Sequence, residues 1–418
     1  MTYHFLERLR IIENSAFIAA PLAGLTLAQF GADVIRVDMI GGGIDYGRMP
    51  RMPHARGRGR SLYWTALNKG KRSIAVDLRR PEGRELVQAL ATAPGPDAGV
   101  LLTNIGTPWL AHSVLAATRH DVITCTIQGN PDGSTAVDYT VNCATGYPAV
   151  TGSGSVDKPV NHVLPAWDIA CAYQAAFAVV AAVNLRMRCG QGAELKLALS
   201  DVAFSTLSHL GLLAEAELLG QERPSVGNHL YGAFGRDFGT ADGGRIMVAA
   251  ISANQWRSLV EACGIGPAVE ELELRTGLDF GDEAQRFEGR EAIAALVEPW
   301  FAALSSGQAE ALLERHKVCW GRYSTVRELL ATDPRVSAAN PLFERINTPG
   351  VGQHLSAGAA VRAPALDRHV TPPAGLLGTH TDQVLHEVLG LDAAAVGRLH
   401  DAGVVAGPER DPTAECSD

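Results

Sequence analysis

The stretch LRIIENSAFIAAPLAGLTLAQFGADVIRVD, residues 9–38, indicates the fold of this chain. A short apolar run at residues 9–13 predicts one strand, and a second apolar run at residues 34–38 predicts another. Between them, residues 17–30 carry apolar side chains at approximately helical spacing, at Leu22, Leu25, Leu27 and Phe30. The order strand, helix, strand is the start of a sheet of the nucleotide-binding kind.

Further strand patterns continue this alternation. Residues 67–78 form a basic turn that leads into a strand, and a helix follows to about residue 92. Additional strands are predicted at residues 98–103, 122–127 and 193–199. The expected fold class is therefore α/β, with a parallel sheet. The first turn lacks the GxGxxG fingerprint of dinucleotide-binding folds, and the Gly41-Gly42-Gly43 run follows the second strand instead, so an NAD site is not expected.

The second half of the chain has a different texture. One helix is expected over residues 200–219, and the Gly-, Pro- and Asn-rich residues 220–236 resemble a connection between domains. A single strand at residues 245–250 and several helical segments then predict a small α+β domain, so we place domain boundaries at 1–220, 221–325 and 326–418. The last segment should contain helices near residues 325–331 and 381–389.

Composition restricts the function classes. The net charge of −9 argues against a nucleic-acid partner and against attraction to an anionic membrane. The seven cysteines show no CxxC spacing, so a metal site is not expected and the thiols should be reduced. The apolar residues 169–185 are better explained by a buried helix than by a membrane span. The N-terminus lacks a signal-peptide layout, which predicts a cytoplasmic protein.

Asp168 is the strongest candidate for a catalytic group. It follows Pro165 and precedes a long Ala-rich stretch, so we expect it to be the N-cap of a helix that runs to about Arg188. The helix dipole should hold a carboxylate there in its anionic form. An ionised and positioned carboxylate can attack an activated acyl group covalently. The alternative is an ordinary helix cap without a catalytic role.

Residues 45–60 form a basic loop, with arginines at positions 48, 51, 56, 58 and 60. These cations could neutralise the phosphates of a large anionic cofactor. A solvated surface loop is the alternative. The sequence does not decide between the two interpretations.

Five segments, in this order, resemble the family III CoA-transferases, also called the CaiB/BaiF family. They are residues 20–37, residues 68–78, Thr103-Asn104, Asp168 with its Ala-rich helix, and Gly378-Thr379-His380-Thr381-Asp382. The similarity extends over nearly the whole chain. Each segment alone has low specificity, but the five together identify the chain as a member.

The resemblance implies a fold and a set of site residues. It implies a homodimer of two interlocked protomers, each with a large Rossmann-like domain built from both ends of the sequence and a small domain inserted between them. Asp168 matches the family's nucleophile. The CoA contacts implied by the resemblance are Arg36, Lys71, Arg72, Asn104 and Tyr139. No permanently bound cofactor is implied, because CoA arrives as part of the acyl-CoA substrate.

Within the family, the chain most resembles members that move CoA between the C1 and C4 carboxyls of mesaconyl-CoA, converting 2-methylfumaryl-CoA to 3-methylfumaryl-CoA. The segments that carry this are residues 15–21, 161–168, 227–238 and 397–408. The glycine-rich loop at residues 227–235 could supply backbone N–H donors to the oxyanions of such a reaction and close over the site, and the alternative is a plain linker between domains. Candidates for contact with the acyl group are Ala16, His162, Tyr231, Gly232 and Arg236. Of these, His162, Tyr231 and Arg236 are candidates for binding the substrate's free carboxylate.

Three other functions remain possible from the sequence. The first is intermolecular CoA transfer from a dicarboxylyl-CoA to a separate acid. The second is racemisation of a 2-methylacyl-CoA, for which Thr135 stands where the family's racemases have a histidine base, and a threonine hydroxyl is a poor base near neutral pH. The third is a non-catalytic CoA-binding or scaffold protein, against which an intact Asp168 argues.

Overall fold

The computed structural model describes residues 2–53, 59–152, 155 and 157–414. It divides into two compact units. Unit 1 consists of Met1–Thr145, Val163–Leu212 and Pro334–Asp418. Unit 2 consists of Gly146–His162 and Leu213–Asp333.

The strands, in chain order, are β1 (Arg10–Asn14), β2 (Asp33–Met39), β3 (Arg72–Val76), β4 (Val100–Thr103), β5 (Ile123–Gln128), β6 (Ala193–Ala198), β7 (Phe234–Gly239), β8 (Arg245–Ala250), β9 (Cys319–Arg322), β10 (Phe343–Thr348), β11 (Gly352–Ala357) and β12 (Val405–Ala406). The helices are α1 (Ala19–Gln29), α2 (Leu62–Asn68), α3 (Pro81–Ala91), α4 (His112–Thr118), α5 (Asp138–Cys143), α6 (Tyr147–Val150), α7 (Ala166–Cys189), α8 (Leu199–His209), α9 (Leu212–Leu219), α10 (Ala253–Cys263), α11 (Gly266–Thr276), α12 (Glu283–Glu288), α13 (Arg290–Ala302), α14 (Ser306–Arg315), α15 (Val326–Thr332), α16 (Thr381–Leu389) and α17 (Ala393–Asp401).

Unit 1 is built on a seven-stranded sheet in the order β12-β3-β2-β1-β4-β5-β6. In this spatial order, every pair of neighbouring strands between β3 and β6 is parallel, and β1 lies between β2 and β4. The strands that follow β1 in the chain, β2 and β3, are therefore added on one side of it, and β4, β5 and β6 are added on the other side. In open α/β sheets, ligands bind beyond the carboxyl ends of the strands at such a reversal. The predicted α/β class with a parallel sheet is confirmed.

The central strands owe their place in the sheet to their composition. Ile12, Ile35, Val37 and Leu101 are buried on a sheet covered by helices, where β-branched and large apolar side chains fit best. On α1, Gly24 leaves the space that the Glu13 carboxylate occupies, and a Cβ there would collide with that carboxylate. The helix can therefore approach the first strand closely.

The C-terminal part of unit 1 completes the sheet. Strands β10 and β11 form an antiparallel hairpin, and β12 pairs antiparallel with β3 and so becomes one edge of the seven-stranded sheet. Val384 and Leu385 of α16 and Val396 of α17 are buried in the same core as the central strands. Both ends of the chain therefore contribute to this unit, as the resemblance implied.

Unit 2 contains a three-stranded antiparallel sheet in the order β7-β8-β9 and a group of helices. Its core includes Phe234, Phe238 and Phe301, and the rings of Phe238 and Phe301 stack with centroids 4.9 Å apart. Capping boxes begin α10 at Ser252 and α14 at Ser305, where each serine accepts a hydrogen bond from a backbone N–H three residues on.

The structure corrects several element predictions. The single helix expected over 200–219 is broken at Gly211, which has φ of +79°, so that α8 and α9 are separate. Strands β7 and β9 and the β10–β11 hairpin were not predicted. Residues 146–162, predicted in the first large segment, group with unit 2, and the chain returns to unit 1 at Pro334 rather than at residue 326.

Among the described residues, α7 is long and apolar enough to cross a membrane by length and composition alone, and the bent pair α8 and α9 would also qualify. The core helix of a soluble protein meets the same criterion. Here α7 packs against α1, β5 and β6.

Candidate active site

A cavity of about 420 Å³ opens in unit 1 where several parallel strands end. Phe17 follows β1, Asn104 follows β4, and Gly129 follows β5, and all three line it. Asp168 and Tyr139 line the same cavity. The sheet thus brings together three residues that the sequence suggested separately, Asp168, Asn104 and Tyr139.

Asp168 lies in the first turn of α7 and is not its N-cap, so the predicted cap role is wrong. The helix begins two residues earlier, at Ala166, and Pro165 in the cap position makes no side-chain hydrogen bond to it. Proline fixes the chain entry and cannot supply a capping oxygen. The side chain of Asp168 is therefore not used to cap its own helix.

A second carboxylate, from Asp138 at the start of α5, caps α7 instead. One oxygen of Asp138, Oδ2, accepts hydrogen bonds from the backbone N–H groups of Trp167 at 2.7 Å and Asp168 at 3.1 Å. The indole Nε1 of Trp167 donates to Oδ1 of Asn142 at 3.0 Å. Because N–H groups in a first helical turn lack partners within the helix, these contacts fix the start of α7 and so the backbone of Asp168.

The electrostatics of Asp168 differ from the prediction that the helix dipole holds it anionic. The pKa of the Asp168 carboxyl is raised to about 7, mainly by burial and also by the charge of Asp138, while the charge of Arg48 acts in the opposite direction. Desolvation disfavours the ionised form of a carboxyl group. A carboxyl group with a strongly shifted pKa in a cavity is typical of a functional site.

Arg48 and two aromatic rings form another wall of the cavity. The guanidinium carbon of Arg48 lies 5.5 Å from the ring centroid of Phe17 and 5.2 Å from that of Tyr63. Phe17 has a backbone φ of +64°, in the left-handed region, and its N–H donates to Oδ2 of Asp45 at 2.9 Å. A non-glycine residue in that region marks local strain, which surrounding contacts must hold in place.

The side chain of Asn104 holds the loop between β1 and α1. Its Oδ1 accepts from the N–H of Ala16 at 2.8 Å, and its Nδ2 donates to the carbonyl of Ala16 at 2.7 Å. The two backbone groups of Ala16, a predicted acyl contact, are thus already paired. Tyr139 is partly exposed, and its hydroxyl donates to the carbonyl of Val163 at 3.4 Å.

Arg36 and Lys71, two predicted CoA contacts, lie in a buried network of charges. Arg36 forms ion pairs with Glu13 and Asp38, both at 3.0 Å, and Lys71 pairs with Glu13 at 2.9 Å. Burial lowers the pKa of Lys71 to about 8, although Glu13 opposes the shift. In this structure both cations are directed at carboxylates beneath the surface. Their contact with CoA stays a prediction.

Arg72 lies elsewhere, at the amino end of β3. It forms ion pairs with Asp33 at 2.6 Å and Glu387 at 2.7 Å, and its side chain is partly exposed. Arg72 begins the strand, whereas the cavity that contains Asp168 lies beyond the carboxyl ends of the strands. Arg72 is therefore separated from that cavity along the strand direction. Its contact with CoA likewise stays a prediction.

A second cavity, of about 300 Å³, lies next to the same loops of unit 1. Ser15 and Ala16 line it from the loop after β1, and Ile105 from the residues after β4. Asp38 and Asp45 also line it, and each has one buried carboxylate oxygen without a hydrogen-bond partner among the described residues. Those two oxygens are ready acceptors for the hydroxyl or amino groups of a ligand.

The remaining predicted acyl contacts belong to unit 2. The hydroxyl of Tyr231 donates to Glu215 at 3.1 Å, and the guanidinium of Arg223 lies over its ring. Arg236 is 4.0 Å from Glu291, and Gly232 has φ of +80°. His162 is half-buried, and its backbone N–H donates to the side chain of its neighbour Asn161 at 3.0 Å.

The comparison with known protein families decides the assignment. A family model described as CoA-transferase family III matches residues 6–381. The chain belongs to CoA-transferase family III. The resemblance inferred from the sequence is confirmed.

Individual relatives align with this family III CoA-transferase over almost its whole length. It is 48% identical to a 2-methylfumaryl-CoA isomerase of Chloroflexus aurantiacus, over 97% of this chain and 98% of that protein. It is 28% identical to a succinyl-CoA–D-citramalate CoA-transferase of the same organism, over 96% and 98%. A crystal structure of a CaiB/BaiF family protein from Brucella suis matches with a TM-score of 0.75 and 25% identity, over 93% of this chain and 100% of that one.

Sequence reasoning did not propose Asp138 or Tyr63 as site residues of this family III CoA-transferase, and it proposed Arg48 only as one of several cations for cofactor phosphates. Arg48 was grouped with the other arginines of the loop, and its own position had no distinguishing signal. Of those others, Arg56 and Arg58 lie outside the described residues, and Arg60 donates to the carbonyls of Pro349, Ala374 and Gly375. Arg60 therefore stabilises the fold of unit 1.

Proposed function

We propose that this enzyme moves CoA between the C1 and C4 carboxyls of a single mesaconyl-CoA molecule, converting 2-methylfumaryl-CoA to 3-methylfumaryl-CoA. The observation that carries the proposal is a desolvated carboxyl group, Asp168, at a cavity beyond the carboxyl ends of the parallel strands. The nearly full-length relative at 48% identity supports the choice of substrate.

The proposed reaction begins with attack of the ionised Asp168 carboxylate on the C1 thioester carbonyl. A C–O bond forms and the C–S bond breaks, which gives a mixed anhydride and the CoA thiolate. The thiolate then attacks the carbonyl carbon of Asp168, so that a C–S bond forms and mesaconate leaves with its carboxylate restored. The C4 carboxylate of mesaconate attacks this aspartyl-CoA thioester, and the two steps run in reverse to give the C4 thioester.

The environment of Asp168 fits this role. Water stabilises an ionised carboxylate, and a buried carboxylate lacks much of this stabilisation. It is therefore a better nucleophile than a carboxylate in bulk water. The hydrogen bonds from Trp167 and Asp168 to Asp138 hold the nucleophile's backbone in place during attack. One thioester replaces another throughout, so the sequence of steps requires no ATP. The proposal includes no permanently bound cofactor.

We further propose that CoA lies along the two cavities of unit 1, which border the same loops after β1 and β4. The thioester would lie in the cavity that contains Asp168, with Asn104 and Tyr139 in its wall. The predicted CoA contacts Arg36, Lys71 and Arg72 remain part of the proposal. From unit 2, Tyr231, Gly232, Arg236 and His162 are the proposed contacts for the acyl group.

The proposal includes an interlocked homodimer in the cytoplasm. Support comes from α7, which leaves apolar side chains on its exposed face at Tyr173, Phe177, Val180 and Met187. Phe177 alone is 75% exposed. Soluble proteins rarely leave such a helical stripe uncovered, and a second copy of the chain would bury it.

Incubation of purified enzyme with mesaconyl-C1-CoA and isotopically labelled free mesaconate tests the proposed function. We expect the C4 thioester to form while the thioester pool stays unlabelled, because the diacid does not leave between the two transfers. Chromatography with mass detection separates the two isomers and measures the label. Absence of the C4 isomer would contradict the proposal.

Label in the thioester pool would instead favour intermolecular transfer to a free acid. The relative named as succinyl-CoA–D-citramalate CoA-transferase makes this the second candidate. A parallel incubation with succinate or itaconate would then identify the acids that accept CoA. Racemase activity has less support, because Thr135 remains an exposed threonine without the basicity of histidine.

The pH dependence of turnover should reflect the carboxyl group of Asp168. Because burial raises its pKa to about 7, kcat/KM is expected to rise with pH up to about 7 and to level off above it. An enzyme with an ordinary aspartate would keep nearly full activity down to about pH 5 and lose half of it near pH 4. The measurement is the initial rate of the wild-type enzyme as a function of pH, since substitution of Asp138 or Arg48 would itself change the pKa of Asp168. A flat profile from pH 5 to 8 would show that Asp168 ionises normally.

A further inference from the structure

Arg48 is the one cationic side chain among the described residues that line the Asp168 cavity. Within the described part of the chain, no carboxylate lies at ion-pair distance from its guanidinium group. The rings of Phe17 and Tyr63 contact the cation as π faces. Such contacts do not consume the N–H donors of the guanidinium edge, which match a carboxylate.

Tyr63 supplies a second unused donor in the same wall. Its hydroxyl oxygen is buried and has no hydrogen-bond partner among the described residues. A buried hydroxyl without a partner is costly unless a ligand completes its hydrogen bonding. The ring contact with Arg48 places Tyr63 beside that cation in the wall of the same cavity.

The charges of the cavity define what this pair could hold. Asp168 and Asp138 both line the cavity, so a substrate with its own carboxylate enters an acidic surrounding. Such a substrate needs a compensating cation, and Arg48 is the available one. A monocarboxylic acyl group would have no use for it.

We infer that Arg48 and Tyr63 together bind the carboxylate of the diacid that is not bonded to CoA, and that Arg48 sets a preference for dicarboxylic acyl groups. This inference rests on the proposed function and names the residues that would bind the second carboxylate of its substrate. The pair would hold C4 before the transfer and C1 after it. The same contact would keep mesaconate in the cavity while CoA is on Asp168.

The test compares two thioesters that differ in the second carboxylate, mesaconyl-C1-CoA and methacrylyl-CoA. With hydroxylamine present, activated Asp168 is trapped once per enzyme molecule as a hydroxamate, and the dependence of its initial rate of formation on substrate concentration gives a second-order rate constant of trapping for each thioester. The readout is the ratio of the two values. A ratio is needed because loss of Arg48 also raises the pKa of Asp168 for every substrate.

In Arg48→Gln, the preference for the diacid is expected to fall roughly 10- to 100-fold, the effect of losing a hydrogen bond to a charged group. Arg48→Lys keeps the charge and should lose less, and Tyr63→Phe should lose roughly 3- to 10-fold. Equal loss with both thioesters would overturn the inference and leave the proposed function standing. A wild-type enzyme that forms no hydroxamate and no C4 isomer would overturn the proposed function, and this inference with it.

Discussion

Replacement of Asp168 by asparagine is expected to lower the rate of CoA transfer by about 10³-fold or more, because an amide cannot form the proposed covalent intermediate. The size of the side chain hardly changes, so the fold should be retained. The measurement is formation of the C4 thioester under saturating substrate. Mass spectrometry should detect a hydroxylamine adduct on Asp168 of the wild type only.

The chain offers a matched control. Asp201 is the third residue of α8, just as Asp168 is the third residue of α7, but Asp201 is exposed. Asp201→Asn should leave turnover within about twofold, as expected for a surface position. Near-normal activity of Asp168→Asn would exclude the aspartyl mechanism.

The same variant has an expected effect on stability. The folded state raises the pKa of Asp168 to about 7, so between about pH 4 and pH 7 it binds more protons than the unfolded state. The wild type therefore loses stability as pH rises through this range. Asparagine avoids that loss, so Asp168→Asn should be more stable at pH 8, on the order of 1 kcal/mol, with a smaller gain at pH 5.

Replacement of Arg36 by methionine is expected to destabilise the enzyme by roughly 3–5 kcal/mol, because it leaves buried charges without a partner. Glu13 and Asp38 each lie 3.0 Å from Arg36, and Asp45 lies 3.7 Å away. All three carboxylates are buried. Urea unfolding measures the effect as a lower midpoint at an unchanged slope.

Arg72→Met provides the control, because its ion pairs with Asp33 and Glu387 are partly exposed. Such pairs contribute up to about 1 kcal/mol. If Arg36→Met instead kept normal stability and showed only a raised KM for acyl-CoA, the side chain would act mainly through contact with CoA.

The sheet could be predicted from the sequence because its signals are local. Residues 9–38 gave β1, α1 and β2 within two residues at each strand end, since apolar runs and helical spacing coincide with turns there. The strands of unit 2 were less accessible. Phe234–Gly239 contains two glycines, and Cys319–Arg322 is short and mostly exposed, so neither has the alternation of a half-buried strand.

The candidate site was only partly predictable. Asp168 could be found because its surroundings in the sequence resemble those of a known family. Asp138 and Arg48 could not, because their importance arises from spatial contacts between segments far apart in the chain. The upward pKa shift of Asp168 has the same origin, since burial and the nearness of Asp138 are properties of the fold. A helix dipole alone predicted the opposite direction.

The left-handed backbone of Phe17 has a consequence for engineering. An ordinary residue there costs about 1–3 kcal/mol, which glycine would recover. A screen for heat tolerance would favour Phe17→Gly only to the extent that this recovery exceeds the lost burial of the ring, while a screen for turnover of diacids would reject it, because the aromatic ring beside Arg48 would be gone. At this one position, relief of backbone strain and turnover of diacids therefore favour different residues.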